Sequence, residues 1–423
     1  MYKKTKEKNG LTTVVSPMKQ MSSVSLGVWI GVGGRYESEH NSGISHVIEH
    51  MLFKGTRTRT AKDLKQAVEG VGGAFNGFTS DEVTCYMVKV PSKYMELGMD
   101  ILADMILEPR FDKKDFLREK SVICEEIKMY RDHPGDRVME LLEAIMWPGS
   151  PLGRPLTGNI STVRNFRMAD VLDFKEAHYH PGNIAVVASG KVSPERIFSY
   201  AGEKFSGLKR KRKGRFSSPA VTSRGPRTRF SSADTNQTHI ALGFYAFDRN
   251  IKERFAYKLM NVILGGNMSS RLFEELREKY GLCYDISSMY KRHSDVGEVI
   301  IHSGVDNRNA VKSLVAILDE LRNMKDIGIT EDELVRAKEY TKGQFMLAME
   351  GTSSRMLWLG DRFMVHREIP DVPYVLKKLD ELTLEDVNRA CSRVFNARAA
   401  SLAMISNITS SQKIKVRKEL EKL

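Results

Sequence analysis

The succession of secondary-structure signals in this chain runs twice. Residues 24–30 (Val-Ser-Leu-Gly-Val-Trp-Ile) read as a strand and lead into a helical pattern over 44–53. Residues 239–245 (His-Ile-Ala-Leu-Gly-Phe-Tyr) do the same and lead into a helical pattern over 255–264. A second strand-then-helix pair follows in each half, 85–90 with 95–106 and 298–302 with 310–321. A period of about 200 residues belongs to a duplicated domain and is several times too long for a solenoid. The expectation is an α+β fold of two similar domains, each a mostly antiparallel sheet with helices packed against it. Residues 208–227 are rich in Lys, Arg, Ser, Gly and Pro and lack an apolar period, so they read as a linker. They separate a first domain over 1–207 from a second over 228–423.

Length and composition agree with this. At 423 residues the chain is too long for one ordinary core, and 41% apolar with 28% charged residues is a globular composition. No window approaches the apolar run that a membrane-spanning helix needs, so no membrane partner is expected. The Lys-rich start lacks the apolar segment of a secretory signal peptide, and the expected address is a bacterial-type cytoplasm. The net charge of +13 raises nucleic acid as a partner, but six of the positive charges lie between positions 209 and 215 alone. No aromatic residue is interleaved there to stack on bases, so this run reads as a solvated linker and no nucleic-acid partner is expected. Cys85, Cys124, Cys283 and Cys391 lie far apart, which argues against a disulfide framework or a thiolate zinc site. Cys85 and Cys283 sit in apolar strand-like runs and read as small core residues. Any metal must then be held by imidazole and carboxylate.

Chemistry concentrates in residues 41–53. Ile44, Val47, Ile48 and Met51 recur at i, i+3, i+4 and i+7 and define a buried helix face, with Asn41 or Ser42 available to cap its start. His46, Glu49 and His50 fall on a different face. Histidines four apart are neighbours on a helix surface and can grip one ion. Glu49 is placed to reach water at that ion without ligating it, in an inverted form of the His-Glu-x-x-His arrangement. The corresponding helix of the second half, around Tyr257-Lys258-Leu259-Met260-Asn261-Val262, carries neither His nor Glu. Chemistry is expected in the first domain only.

A catalytic zinc site keeps three protein ligands and an open position. A strong helical pattern over 115–130 offers Glu119, Glu125 and Glu126, with Phe116, Val122 or Ile123, Ile127 and Tyr130 as its buried side. Glu119 and Glu126 are seven apart and lie nearly on one line, so that one can ligate while the other supports a ligand. Spacing alone does not rank the three.

These residues resemble the M16 (pitrilysin and insulinase) metallopeptidases, in particular the branch with mitochondrial processing peptidase and bacterial processing-protease homologues. The run from His46 to Thr56 matches the family's helix and its exit. The resemblance implies one Zn²⁺ per chain held by His46, His50 and Glu126, with Glu49 as general base and Glu119 supporting the ligands. Residues 72–80 are similar to the family's edge strand, which implies that Asn76 and its neighbours pair with the substrate backbone; Gly77 stands where Ala is more usual. Arg277 and Tyr284, seven apart, resemble a pair that holds substrate, and residues 264–272 resemble a glycine-rich loop of the partner subunit. Residues 178–183, with His178 and His180, match a structural segment rather than a metal site. The implied function is a zinc metalloendopeptidase that cleaves extended or unfolded peptides. The implied assembly is a homodimer, with a heterodimer as the other arrangement in this branch, in which Arg277 and Tyr284 serve the partner's site. The rival expectations are an idle scaffold subunit of a heterodimeric processing peptidase and a different metal hydrolase. Idle subunits typically lose His or Glu from the metal helix, and this chain keeps them.

Overall fold

A computed structural model describes residues 2–221, 225–249 and 253–423. It has two sheets. The first contains β1 (Lys3–Lys6), β2 (Thr12–Pro17), β3 (Ser23–Ile30), β4 (Ala74–Thr79), β5 (Thr84–Pro91) and β6 (Ile184–Gly190), in the order β1-β2-β6-β3-β5-β4. The second contains β7 (Arg227–Ser231), β8 (Gln237–Ala246), β9 (Cys283–Arg292), β10 (Gly297–Asp306) and β11 (Ala400–Ile405), in the order β7-β11-β8-β10-β9. Leaving β1 aside, the two orders are the same. Even the single parallel pair recurs at the same place, β2 with β6 and β7 with β11, while every other pairing is antiparallel. The fold is α+β, two copies of one plan.

In the first sheet, β3 shows how the sequence sorts its sides. Leu26, Val28 and Ile30 enter the core shared with helices Ile44–Leu52 and Met95–Leu107, whereas Trp29 faces the other way. That is the period of two expected of a strand buried on both faces. The second face is covered by helix Thr352–His366, from far along the chain. A Cβ on Gly360 would stand 2.1 Å from the Trp29 ring, so only glycine lets this helix approach so closely. The second sheet is covered in the same manner by helix Pro134–Met146, with Val138, Leu142 and Met146 against Ala241, Ile300 and Ala403.

The compact units therefore interleave along the chain. One comprises residues 1–128, 154–217 and 345–371; the other comprises 129–153, 218–344 and 372–423. A single cut at the basic stretch does not separate them, because each sheet buries its second face under a helix encoded within the other half. The described part of the basic stretch, 208–221, forms no helix or strand. Its residues up to 217 belong to the first unit and are tied to it: Phe216 lies 3.9 Å from the Arg35 guanidinium and edge-on to Tyr36, and Lys211 pairs with Glu176 at 2.7 Å. No helix among the described residues is long and apolar enough to cross a membrane. Cys85, Cys124 and Cys391 are buried and Cys283 is half-buried, all as free thiols.

Gly360→Ala is expected to destabilise the chain by about 1–3 kcal/mol through overpacking against Trp29. Gly343→Ala, in helix Glu331–Glu350 where a Cβ meets nothing within 4 Å, is expected to be neutral or to stabilise by up to about 1 kcal/mol. Denaturant midpoints of the two variants check this.

Candidate metal centre

Helix Ile44–Leu52 buries Ile44, Val47, Ile48 and Met51, as their spacing requires, and turns His46, Glu49 and His50 to the opposite side. Its start is held differently from expectation. Neither Asn41 nor Ser42 caps it; Gly43 occupies the cap position with φ +94°, a left-handed backbone suited to glycine. The buried Glu37 carboxylate instead accepts hydrogen bonds from the Gly43 N–H at 2.7 Å and the Ser45 N–H at 2.9 Å. Asn41 turns away and accepts from the Ser38 N–H and hydroxyl.

The supporting carboxylates come from helix Lys113–Asp132, which buries Phe116, Ile123 and Ile127 while Val122 is exposed and Tyr130 half-buried. This rotation decides among the acids. Glu125 points to solvent and pairs with Lys128 at 2.7 Å. A Glu126 carboxylate oxygen, Oε2, lies 3.8 Å from His46 Nε2 and 3.6 Å from His50 Nε2. These separations are too long for hydrogen bonds. They are close to the edge of about 3.4 Å that a tetrahedron has when metal–donor bonds are ~2.0–2.1 Å. His46, His50 and Glu126 form the one group of three His, Cys, Asp or Glu among the described residues whose ligand atoms all lie within 4.8 Å of one another. Two imidazoles and one carboxylate are a donor set that suits zinc and leaves positions for other ligands.

Glu119, buried, accepts from His50 Nδ1 at 3.1 Å and from Lys54 Nζ at 2.7 Å. Burial works to raise its pKa, but the His50 and Lys54 hydrogen bonds outweigh it and hold the carboxyl below its ordinary value. An ionised Glu119 requires the proton on His50 Nδ1, which leaves the Nε2 lone pair facing Glu126. His46 is pushed down to about 3, by burial first and then by the neighbouring His50, so it stays neutral and able to donate its lone pair. Glu49 is raised by burial, against the lowering effect of its hydrogen bond from Thr79 Oγ1 at 2.5 Å. Thr79 ends β4, the edge strand of the first sheet.

Asn76 lies in the middle of β4, its side chain accepting from the Gly77 N–H at 2.8 Å. A Cβ at Gly77 would stand 2.9 Å from the Phe53 ring, so the glycine makes room for the residue that ends the metal helix. Arg277 and Tyr284 belong to the other unit, where the guanidinium stacks on the phenol ring at 4.8 Å and Tyr284 is 77% exposed on edge strand β9. Among the described residues, His178 and His180 join no such metal-capable group.

Thr79, Lys54 and Glu37 escaped the sequence reading. Lys54 alone left a signal, as a cation four residues past His50 on the same helix exit. Glu37 caps from six residues before Gly43, outside the spacing of a capping box.

The chain matches the family model "Insulinase (Peptidase family M16)" over residues 13–159 and "Peptidase M16 inactive domain" over 165–340. It belongs to peptidase family M16. It is 34% identical to the uncharacterized zinc protease YmxG of Bacillus subtilis (strain 168), over 96% of this chain and 98% of that one. It is 33% identical to the uncharacterized zinc protease ML0855 of Mycobacterium leprae (strain TN), over 92% and 88%. Among solved structures, a protease from Helicobacter pylori superposes with a TM-score of 0.90 at 23% identity, covering 96% of this chain and 99% of that one. A peptidase M16 inactive domain from Pseudomonas fluorescens gives 0.90 at 19%, covering 96% and 98%. Both share the fold. Residues His46 to His50 lie in the first matched region, and Arg277 and Tyr284 lie in the second.

The Glu37 clamp makes the helix pH-sensitive. Burial raises Glu37 from 4.5 to about 7, opposed by the Gly43 and Ser45 hydrogen bonds. A folded-state value above the unfolded one gives stability that is complete below pH 4.5 and lost as pH rises through about 7. Relative to wild type, Glu37→Gln is therefore expected to gain roughly 3 kcal/mol between pH 4 and pH 8. Urea melts of both proteins across that range measure it; a flat difference would show the backbone N–H groups keeping Glu37 ionised throughout.

Proposed function

We propose that this M16 chain is a zinc-dependent endopeptidase that cleaves extended or unfolded peptides. The observation that carries this reading is the convergence of His46 Nε2, His50 Nε2 and Glu126 Oε2 beside the Glu49 carboxyl. The naming of its relatives as zinc proteases points the same way. A zinc ion on His46, His50 and Glu126 would supply Lewis acidity for a scissile carbonyl and make water acidic enough to attack near neutral pH.

The protein's own groups do the rest. Glu49, its carboxyl raised by burial, accepts the proton of the attacking water and returns it to the leaving amine. The Thr79 hydroxyl fixes one Glu49 oxygen, and Glu119 fixes the His50 ring. The peptide adds to the open edge of β4 as a further strand, through main-chain hydrogen bonds with the stretch around Asn76. Because Thr79 ends β4 and touches Glu49, a peptide laid along that edge is delivered to the general base. Main-chain pairing also accounts for tolerance of varied sequences.

His46→Ala, His50→Ala and Glu126→Gln are expected to lose stoichiometric zinc, and Glu125→Gln to keep it. Glu49→Gln should keep zinc while turnover falls by at least about 10²-fold, since an amide takes no proton from water. Metal analysis beside a chelator-controlled peptide-cleavage assay reads all five. Zinc retained by Glu126→Gln, or activity near wild type in Glu49→Gln, would overturn the assignment.

We assign Arg277 and Tyr284 to hold the substrate chain, through guanidinium and phenol donors, at the site of a second identical subunit. Closed two-fold dimers are the commonest homo-oligomers. Mixing Glu49→Gln with Tyr284→Phe, each nearly inactive alone, is expected to restore part of the activity, because mixed dimers hold one site with both groups intact. No recovery despite proven subunit exchange would refute the trans arrangement.

A further inference from the structure

A cavity of about 520 Å³ opens in the first unit where three distant stretches of chain meet: β1, the basic stretch, and the end of helix Thr352–His366. Lys4 and Lys6 come from β1, Arg210 from the basic stretch, and Arg367 from the helix end. No acidic side chain is among the lining residues, and none of these four cations makes an ion pair with a described residue. Lys211, next to Arg210, does have a carboxylate partner in Glu176. The carbonyl end of the helix offsets only about half a charge. Four like charges converging on one concavity repel one another, a cost that an anionic occupant removes.

Two further features show that the cavity is more than a basic surface. His180 is 2% exposed, and neither of its ring nitrogens has a hydrogen-bond partner among the described residues. It stands directly behind the wall: a Cβ on Gly182, which lines the cavity, would be 3.5 Å from the His180 ring and 3.6 Å from Arg210 Cγ. Arg367 has φ +57°, at the left-handed position after a helix where glycine is usual. A strained arginine there directs a guanidinium at a place where a cheaper residue would end the helix equally well. The buried Phe363 supplies an apolar wall, 5.2 Å from that guanidinium and 5.9 Å from Lys4 Nζ.

We propose that this cavity binds a small anion carrying two or more phosphate groups. Guanidinium groups take phosphate oxygens in pairs and lysines add point charge, so Arg210 and Arg367 orient the ligand while Lys4 and Lys6 neutralise it. The volume exceeds what a single phosphate fills and lies within the range of small-molecule sites. Arg210 and Arg367 each lie shortly before the chain leaves the first unit, at Ser217 and Asp371. A bound anion thus ties both departing segments to β1. The site does not depend on the peptidase reading.

The test is calorimetric titration of the zinc-loaded full chain with inorganic pyrophosphate and with ATP, with the zinc remaining on the protein measured after each run. Saturable one-to-one binding with zinc retained is expected, and a melting temperature that rises with ligand concentration. The variant K4Q/K6Q/R210Q changes exposed side chains only and should bind at least tenfold more weakly at unchanged melting temperature without ligand. Equal affinity for the two probes, or tighter binding of ATP, supports the proposal, the second adding a contact to the rest of the nucleotide. It is overturned by the absence of saturable binding at millimolar ligand, by heat that comes with stripping of zinc, or by undiminished binding in the triple variant. Binding of a DNA duplex alone, with neither small anion bound, would also overturn it and assign the basic stretch to nucleic acid.

Discussion

Two imidazoles four residues apart share an ion only if their helix neither rolls nor slides, and much of the first unit bears on that condition. Ile44, Val47, Ile48 and Met51 lock the helix against the sheet, so its rotation is set by burial of one face. Glu37 holds its first turn through two backbone N–H groups. Glu119 holds the His50 ring and fixes which nitrogen keeps a lone pair, and Lys54 holds Glu119. The three side chains are thus placed by partners lying outside the motif, and a displaced partner would rotate an imidazole ring.

The duplication sets this helix apart by contrast. Both units repeat one strand order with one parallel pair at the same position. The second unit's helix Arg254–Gly265 fills the corresponding place between strands and buries Tyr257, Leu259 and Met260 with no metal-binding side chain. The architecture survives without the donors because sheet and helix are held by apolar packing, to which the histidines contribute little. What the second unit presents instead is an exposed tyrosine under an arginine on an edge strand. That pair needs no buried charge.

The interleaving of the units has a similar physical basis. A central strand such as β3 carries apolar side chains on both faces, so the sheet requires cover on both. For the first sheet the second cover is Thr352–His366, and the fit depends on Gly360 admitting the Trp29 ring. The basic stretch is likewise part of the structure: Phe216 is held by Arg35 and Tyr36, and Arg210 lines a cavity.

The sequence by itself determined the repeated plan, two strand-then-helix pairs in each half, and the face on which His46, Glu49 and His50 lie. Those follow from periodicity, a local property that short stretches of chain carry on their own. It also narrowed the carboxylate to three candidates. Only the tertiary structure decided that Ile123 rather than Val122 turns inward, and with that rotation Glu126 faces the histidines while Glu125 meets solvent. Tertiary packing likewise put Glu37 in place of Asn41 or Ser42 at the helix start, Thr79 on Glu49, and each covering helix on its distant sheet. These contacts join residues remote in sequence, and which pairs meet is settled by the burial of whole surfaces, which no local pattern records.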